Sequence, residues 1–376
     1  MTPSLTRLVD ERAIVVCCGA GGVGKTTTAA AMAVEAATRG RRTCVVTIDP
    51  AKRLGDALGL RALTNVPCRV DGRWPGELWA LMLDTRSTFD TLVERYAATP
   101  EQAQRILANR VYRNIAGALS GTQEYMAMEK LYELHESGAP GPDGGSARFD
   151  LIVVDTPPTR NALDFVDAPR RLTRFLDNRI FRLLMSPTTA YLKAVSVATQ
   201  TFLRTVSRVV GAEVVSDAVA FFQAFEGMEE GFRNRARRVF ELLSDDSTAF
   251  VLVASAHRDA VGEGLYFSEK LAEAGIGVEG LVVNRLHPTF GAASVAGSAG
   301  ALRQRAASLA GSPLAGLYAN LADFRRVAES EEAQVASLAS RMAATPVTRV
   351  PFLAADVHDV EGLRAIGRFL FAEPAA

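Results

Sequence analysis

Short apolar runs recur along the chain and alternate with longer stretches in which apolar residues return at helical spacing. The runs lie at residues 13–18, 43–48, 78–84, 149–154, 250–255, 280–284 and 347–350. Continuous apolar runs, as opposed to strict alternation with polar residues, are typical of strands buried on both faces of a parallel sheet. Strands that alternate with helices predict an α/β fold with a doubly wound, mostly parallel sheet.

Two long blocks of helical pattern interrupt this alternation. The first runs from 87 to about 136, with Pro100 as a helix break or a first helical residue, and the second from 164 to about 243. A segment rich in glycine and proline at 138–146 predicts a surface loop. We therefore expect a helical subdomain inserted in the same chain as the sheet. Its residues are about 87–137 and 164–244, and the sheet core has about 1–86, 147–163 and 245–376.

A glycine-rich loop joins the first apolar run to the first helical stretch. It reads Gly19-Ala20-Gly21-Gly22-Val23-Gly24-Lys25-Thr26, a glycine and four free positions before Gly-Lys-Thr. Glycines let the backbone turn several N–H groups toward one anion, and the following helix adds the positive end of its dipole. The motif predicts a nucleotide site in which Lys25 reaches the β- and γ-phosphates and Thr26 ligates Mg²⁺. The residues expected to bind the phosphates are Gly21, Gly22, Val23, Gly24, Lys25, Thr26 and Thr27.

Two aspartates follow predicted strands directly. Asp155 ends the run at 149–154, where a carboxylate beside the phosphate loop suits a Mg²⁺ shell, contacted through water. Asp49 ends the run at 43–48, where a carboxylate can orient an attacking water toward the γ-phosphate. The plain alternative for both is a turn residue at the end of a strand. We favour the Mg²⁺ role for Asp155 because it lies beside the phosphate loop. Asp49 by itself indicates only a turn.

Apolar residues recur at helical spacing within the second helical block. Core packing explains such a stripe most simply. The alternative is an apolar groove that opens and closes with nucleotide state and holds a hydrophobic helix, lined by adaptable methionines. The sequence leaves both interpretations open. The stripe is Phe202, Val206, Val210, Val214, Ala218, Phe221, Phe222 and Phe225, and the methionines are Met126, Met128, Met185 and Met228.

Charge and cysteine content exclude several classes of function. Lysine plus arginine and aspartate plus glutamate number 42 each, so no net charge points to nucleic acid or an acidic membrane surface. Met1 to Arg12 contain no apolar signal region, and no apolar stretch approaches the ~20 residues of a spanning helix. Cys17, Cys18 and Cys44 lie in apolar runs, as small buried hydrophobes do. We expect a cytoplasmic protein with no nucleic-acid partner and no stable membrane insertion.

Several segments resemble those of the arsenite-pump and tail-anchored-protein-targeting ATPases, a deviant-Walker class of dimeric P-loop ATPases. They are the loop at 21–27, Ile48–Gly59 and Val153–Thr159, with Val282–Arg285 and Pro351–Phe352 fitting as well. The resemblance implies a P-loop NTPase fold, ATP and Mg²⁺ as ligands, and closure of a dimer that moves the helical subdomain.

The same resemblance implies a role for each matching residue. Asp49 would position the hydrolytic water, which makes Asp49 and Lys25 the expected catalytic residues. Asp155 would hold the Mg²⁺ shell. Asn284 would read the adenine edge. Pro351 and Phe352 would flank the base.

The sequence departs from this family at the second position of the loop. The family usually has a lysine there that reaches across the dimer to the partner's phosphates, whereas this chain has Ala20. Losing a cationic clamp costs orders of magnitude in rate. Three explanations are open: slow hydrolysis, compensation by Lys52 or Arg53, or a paralogous partner chain that donates its own lysine, which we favour. Lys52 also replaces a usual histidine and Arg160 a usual glycine, and the resemblance defines no role for either.

Two metal-binding features of the family are missing from the sequence. The helical blocks contain no cysteine, so an arsenical-pump motor, which needs soft thiolates, is disfavoured. The Cys-x-x-Cys pair that clasps zinc between subunits is also missing, so a dimer would rest on protein surface alone. The favoured hypothesis is an ATPase whose nucleotide cycle gates binding of a hydrophobic or protein client. The alternatives are the arsenical-pump motor, a partition-type ATPase that acts on DNA or a membrane, and a weakly hydrolysing scaffold that nucleotide stabilises.

Overall fold

The computed structural model describes residues 4–49, 53–110, 112, 122–140, 146–157, 217, 220–221, 223–290, 297–342 and 345–372. The chain divides into two compact units. The first, which we call the core unit, comprises Met1–Met82, Gly138–Ala162 and Asp246–Ala376. The second, the helical unit, comprises Leu83–Ser137 and Leu163–Asp245.

An eight-stranded sheet forms the centre of the core unit in the described residues. In sheet order its strands are β10 (Val347–Pro351), β9 (Val278–Leu286), β8 (Thr248–Ser255), β1 (Ile14–Cys18), β7 (Leu151–Asp155), β2 (Arg42–Thr47), β4 (Glu77–Met82) and β3 (Cys68–Arg69). Neighbouring strands pair in parallel, except that β3 runs antiparallel to β4. Every residue of β1, β7 and β8 is buried, as continuous apolar runs indicate. The predicted α/β fold with a mostly parallel sheet is confirmed.

The core unit contains short elements that the apolar pattern does not show. Helix α1 (Leu5–Glu11) buries Leu5, Leu8 and Val9, but its seven residues are too few to establish a helical period. The predicted surface loop at 138–146 begins and ends in two short strands, β5 (Ala139–Pro140) and β6 (Ser146–Ala147), which pair antiparallel. The loop prediction is therefore wrong at both ends of the segment, because two-residue strands leave no apolar pattern.

Helices flank the sheet and build the helical unit. After α1, the helices of the described residues are α2 (Lys25–Thr38), α3 (Arg53–Ala57), α4 (Thr85–Tyr96), α5 (Pro100–Ala108), α6 (Thr122–Ser137), α7 (Glu229–Leu243), α8 (Arg258–Glu273), α9 (Ala299–Ser308), α10 (Pro313–Arg341) and α11 (Val360–Leu370). Helix α2 packs against β7, β2 and α11. Most of its buried residues are alanines, and their small side chains let the helix approach the sheet closely.

The helical unit, to which α4–α7 belong, begins with two capped helices. The Asp84 carboxylate accepts a hydrogen bond from the Ser87 N–H at 2.8 Å and caps α4. The Thr99 hydroxyl accepts from the Gln102 N–H at 3.2 Å and caps α5. Pro100 is the first residue of α5, which confirms the predicted break in the first helical block.

Aromatic rings and one ion pair fill the interior of the helical unit. Phe221 and Phe225 are buried and meet edge to face, with ring centroids 4.8 Å apart. The Arg235 Nε donates to both carboxylate oxygens of Glu129, at 2.7 and 2.9 Å. Core packing therefore accounts for the two described phenylalanines of the apolar stripe. The other stripe residues lie outside the described part of the chain.

The described methionines of the helical unit are buried. Met126, Met128 and Met228 are at most 1% exposed. A helical period locates an apolar face but does not tell whether another helix covers it, and the burial of these three agrees with core packing, the first of the two interpretations that the sequence left open. Met185 lies outside the described residues.

Candidate nucleotide-binding site

The glycine-rich loop follows β1 and ends at the first residue of α2, as the motif predicts. Gly19 has a φ of 146°, and a Cβ atom there would lie 2.0 Å from the carbonyl oxygen of Val253. Gly24 precedes α2 with a φ of 97°, and a Cβ there would lie 2.2 Å from Nδ2 of Asn284. Both positions demand glycine, because an L side chain has neither the conformation nor the space. The two glycines thus let the loop backbone lie close against Val253 and Asn284.

The Lys25 side chain turns back onto the loop. Its Nζ donates to the carbonyl oxygen of Ala20 at 2.8 Å, and the residue is buried. Burial lowers the pKa of Lys25, while the charges of Asp155 and Asp49 act in the opposite direction and favour the ammonium form. A cation therefore lies inside the loop, close to both predicted acids.

Asp155 ends β7, between β1 and β2, and is fully buried. Its Oδ2 accepts hydrogen bonds from the hydroxyls of Thr26 at 2.7 Å and Thr47 at 2.9 Å. Its Oδ1 is buried and has no hydrogen-bond partner among the described residues. Burial raises the pKa of Asp155 to about 6, although the two hydroxyls and Lys25 lower it. The arrangement brings together Thr26 and Asp155, the two residues predicted to hold Mg²⁺.

Asp49 lies just beyond β2, and its neighbours connect this strand end to Asp155. The Ile48 N–H donates to the main-chain carbonyl of Asp155 at 3.1 Å. The Thr47 hydroxyl, already bonded to Asp155, also lies 3.5 Å from the carbonyl oxygen of Asp49. Asp49 is half-buried. Among the residues proposed to replace the missing lysine, Arg53 is exposed at the start of α3, whereas Lys52 lies outside the described residues, as does Arg160.

Asn284 links β9 to the phosphate loop. Its Nδ2 donates to the carbonyl oxygen of Val23 at 2.9 Å, and its Oδ1 accepts from the main-chain N–H of Arg285 at 2.9 Å. An amide group has two N–H donors and two lone pairs on its oxygen. One N–H donor and one oxygen lone pair of Asn284 therefore stay available beyond these two bonds to described residues. The structure places Asn284 against the phosphate loop, and its predicted role in reading the adenine edge stays a prediction.

Pro351 and Phe352 lie at the end of β10, beside the end of β9. Pro351 pairs with Leu286, and the Phe352 N–H donates to the Leu286 carbonyl at 2.7 Å. The Phe352 ring is 58% exposed and stacks on His287, with centroids 6.1 Å apart and planes 13° apart. The sequence analysis missed His287, whose only signal was a position shortly after a strand-ending asparagine.

Arg285 lies in the segment Val282–Arg285 that fits the family resemblance, but the sequence assigned it no role. Its Nη1 donates to the carbonyl oxygen of Gly22 at 3.0 Å, so Asn284 and Arg285 hold two successive carbonyls of the loop. Arg285 also lines a cavity of about 730 Å³ beside the loop. The cavity wall includes Ala20–Val23 and residues at the start of α8, among them His257 and Glu263. A cleft of this size suits a small ligand such as a nucleotide.

Residues 12–296 match the model of a family described as anion-transporting ATPase, which is more than half of the chain. The chain belongs to the anion-transporting ATPase family. This confirms the family resemblance and the P-loop ATPase class, both predicted from the three motifs.

Relatives within the family are distant. An ATPase GET3 from Malassezia globosa is 26% identical over 287 residues, which are 76% of each chain. An ATPase GET3B from Arabidopsis thaliana is 29% identical over 294 residues, covering 72% of this chain and 63% of the relative. An arsenical pump-driving ATPase from Acidiphilium multivorum is 26% identical over 272 residues, covering 72% of this chain but 39% of the relative. In the part of this chain that the structure describes, no helix has the length and apolar character to cross a membrane.

Proposed function

We propose that this protein binds ATP with Mg²⁺ and hydrolyses it to ADP and phosphate. The observation that carries the proposal is the buried Oδ1 of Asp155, which has no described partner, while Thr26 occupies the other oxygen. Burying a carboxylate oxygen without a partner is unfavourable unless a ligand supplies one, and hard oxygen donors suit Mg²⁺. Phosphate release from ATP, measured with Mg²⁺ and then with a chelator, tests the proposal.

Each residue of the site has a role in this reaction. Lys25 exchanges the neutral carbonyl of Ala20 for phosphate oxygens, which are stronger acceptors because they carry charge. The main-chain N–H groups of residues 21–27 and the start of α2 bind the remaining oxygens. Thr26 and, through water, Asp155 hold Mg²⁺, which neutralises charge on the transferred phosphoryl group. Asp49 orients the attacking water.

The ends of β9 and β10 supply the proposed base site. The free N–H and the free lone pair of Asn284 match N7 and the N6 amino group of adenine. Guanine has an acceptor where adenine has that amino group, so Asn284 favours adenine. Pro351 and the exposed ring of Phe352 then flank the base, and His287 supports the ring from behind.

Replacing Phe352 with alanine should weaken ATP binding about fivefold or more, because stacking of a base on an aromatic ring contributes about 1–3 kcal/mol. Affinity for inorganic triphosphate should not change, since that ligand has no base. Titration calorimetry with both ligands measures the difference. Phe369→Ala, which removes another exposed ring from α11, is the matched control. Equal losses for both ligands in Phe352→Ala would contradict the base site.

We further propose that the protein acts in the cytoplasm as a dimer whose nucleotide-driven closure moves the helical unit and gates a hydrophobic or protein client. Ala20 supports pairing with a paralogue, because this loop supplies no second lysine. The name of the Acidiphilium multivorum relative favours an arsenical-pump motor instead. Against that role, all four cysteines fall in the core unit, and Cys17, Cys18 and Cys44 are buried.

Mixing the chain with a paralogue that carries lysine at the second loop position should raise ATP turnover about a hundredfold, the effect of one added transition-state contact. Phosphate release at saturating ATP measures it, with each chain assayed alone. The control is the same paralogue with that lysine changed to alanine, which should add nothing. Turnover that simply equals the sum of the separate chains would refute the pairing.

A further inference from the structure

We infer that the Arg285 guanidinium is a second cation of the phosphate site, supplied by this chain itself and separate from the lysine that a paralogous partner would donate across the dimer. The inference rests on the proposed ATP site and adds one binding residue to it. Phosphoryl transfer spreads negative charge over the terminal phosphate oxygens, and one lysine neutralises only part of it. Lys25 is the lysine of this loop, and Ala20 adds none. An arginine at the loop can therefore neutralise part of the remaining negative charge.

Arg285 has an unusual backbone conformation, and its side chain contacts the loop. Its φ of 62° is the single left-handed value among described residues other than glycine. Side chains disfavour this region, so surrounding bonds must maintain it. The Arg285 N–H is bound to Oδ1 of Asn284, and its Nη1 is bound to the carbonyl oxygen of Gly22. The guanidinium is thus fixed at the middle of the phosphate loop.

The charge of Arg285 is not neutralised by the described residues. No carboxylate lies within ion-pair distance of it in this part of the structure, whereas three other arginines of the core unit are paired. Those pairs are Arg12 with Glu279, Arg303 with Asp323 and Arg349 with Glu332. A guanidinium stays charged at any physiological pH and offers five N–H donors in a planar fork that matches phosphate. Its bond to Gly22 uses one of them, so several donors are available to an anion.

The space next to Arg285 can take that anion. Arg285 and residues Ala20–Val23 line the same cavity of about 730 Å³. The carboxylates of Asp259 and Glu263, one helical turn apart on α8, line the same cavity and repel negative charge. A polyphosphate in the cavity is therefore favoured next to the loop and the positive charge of Arg285.

Two substitutions of Arg285 distinguish anion binding by its charge from stabilisation of the loop by its hydrogen bond to Gly22. Arg285→Gln keeps an N–H donor for the Gly22 carbonyl and removes the charge, whereas Arg285→Lys keeps both. Calorimetry measures the binding of inorganic triphosphate in the presence of a chelator, so that neither Mg²⁺ nor hydrolysis contributes to the measured affinity. We expect Arg285→Gln to bind about tenfold more weakly and Arg285→Lys to stay within about threefold of the unchanged chain. Binding by Arg285→Gln should also depend less steeply on salt.

Arg326→Gln is the matched control, because it removes one exposed charge from α10 in the same unit and should leave binding unchanged. Thermal unfolding shows that each variant is folded before binding is measured. Unchanged binding by Arg285→Gln would overturn the inference, and so would equal losses in the glutamine and lysine variants, which indicate bracing. If the unchanged chain binds ATP with Mg²⁺ but not triphosphate, the inference is overturned as well, whereas failure to bind either ligand would refute the proposed ATP site.

Discussion

Replacement of Lys25 by alanine is expected to abolish measurable ATP binding. The Lys25 ammonium lies inside the loop, 2.8 Å from the Ala20 carbonyl and close enough to Asp155 to shift its titration. Without it, the phosphates meet a buried carboxylate with no cation between them. A hydrogen bond to a charged group contributes about 1.5–3 kcal/mol, and the lost screening of Asp155 adds to this, so we expect at least a hundredfold loss. Calorimetry with ATP and Mg²⁺ measures it.

Lys270→Ala is the control for this experiment. Lys270 is a lysine on α8, paired with Glu273 at 2.6 Å, and its removal should leave ATP affinity unchanged. Because Lys25 lowers the pKa of Asp155, the alanine variant should also titrate that carboxyl at a higher pH than the unchanged chain. If folded Lys25→Ala binds ATP within threefold of the unchanged chain, the phosphates do not bind at this loop.

Replacement of Asp49 by asparagine should preserve ATP binding and reduce hydrolysis by about a hundredfold or more, the usual contribution of a positioned general base. Asparagine fills the same space, and the Thr47 contact uses the main-chain carbonyl of residue 49, which does not change. The amide cannot accept a proton from water as the carboxylate can. Phosphate release at saturating ATP and calorimetry on the same preparations separate turnover from affinity.

Asp71→Asn is the matched control, since Asp71 is an exposed aspartate of the core unit that lies outside the segments on which the family resemblance rests. It should leave both turnover and affinity as they were. Normal hydrolysis by Asp49→Asn would show that another group positions the water. Binding without hydrolysis in the unchanged chain would favour the scaffold alternative over the enzyme.

The sequence was sufficient for the central strands because of how they are buried. β1, β7 and β8 have neighbours on both sides and layers on both faces, so they consist of apolar residues apart from Asp155 at the end of β7 and the two terminal residues of β8. Their order in the sheet was beyond the sequence, since pairing β1 between β7 and β8 depends on contacts between distant segments. The edge strand β3 is exposed and has only two residues, so nothing marks it.

The phosphate loop was predictable for a local reason. Its strand, glycines, lysine and helix are continuous in sequence, so one motif encodes the whole cradle. Arg285 reaches the same loop across 263 residues of sequence, through a left-handed turn that no local pattern announces. The unbonded oxygen of Asp155 was likewise invisible, because it depends on which hydroxyls take the other oxygen.

The raised pKa of Asp155 makes the free energy of unfolding depend on pH. Its pKa of about 6 in the folded protein lies above the ordinary value of 3.8, so the native state holds this proton more tightly than the unfolded chain does. The free energy of unfolding therefore gains from this group as pH falls from about 6 toward 3.8, and that gain is lost at neutral pH. We propose that a divalent cation binds the ionised carboxylate; in that case protons and the metal compete for Asp155, and acidification works against nucleotide loading.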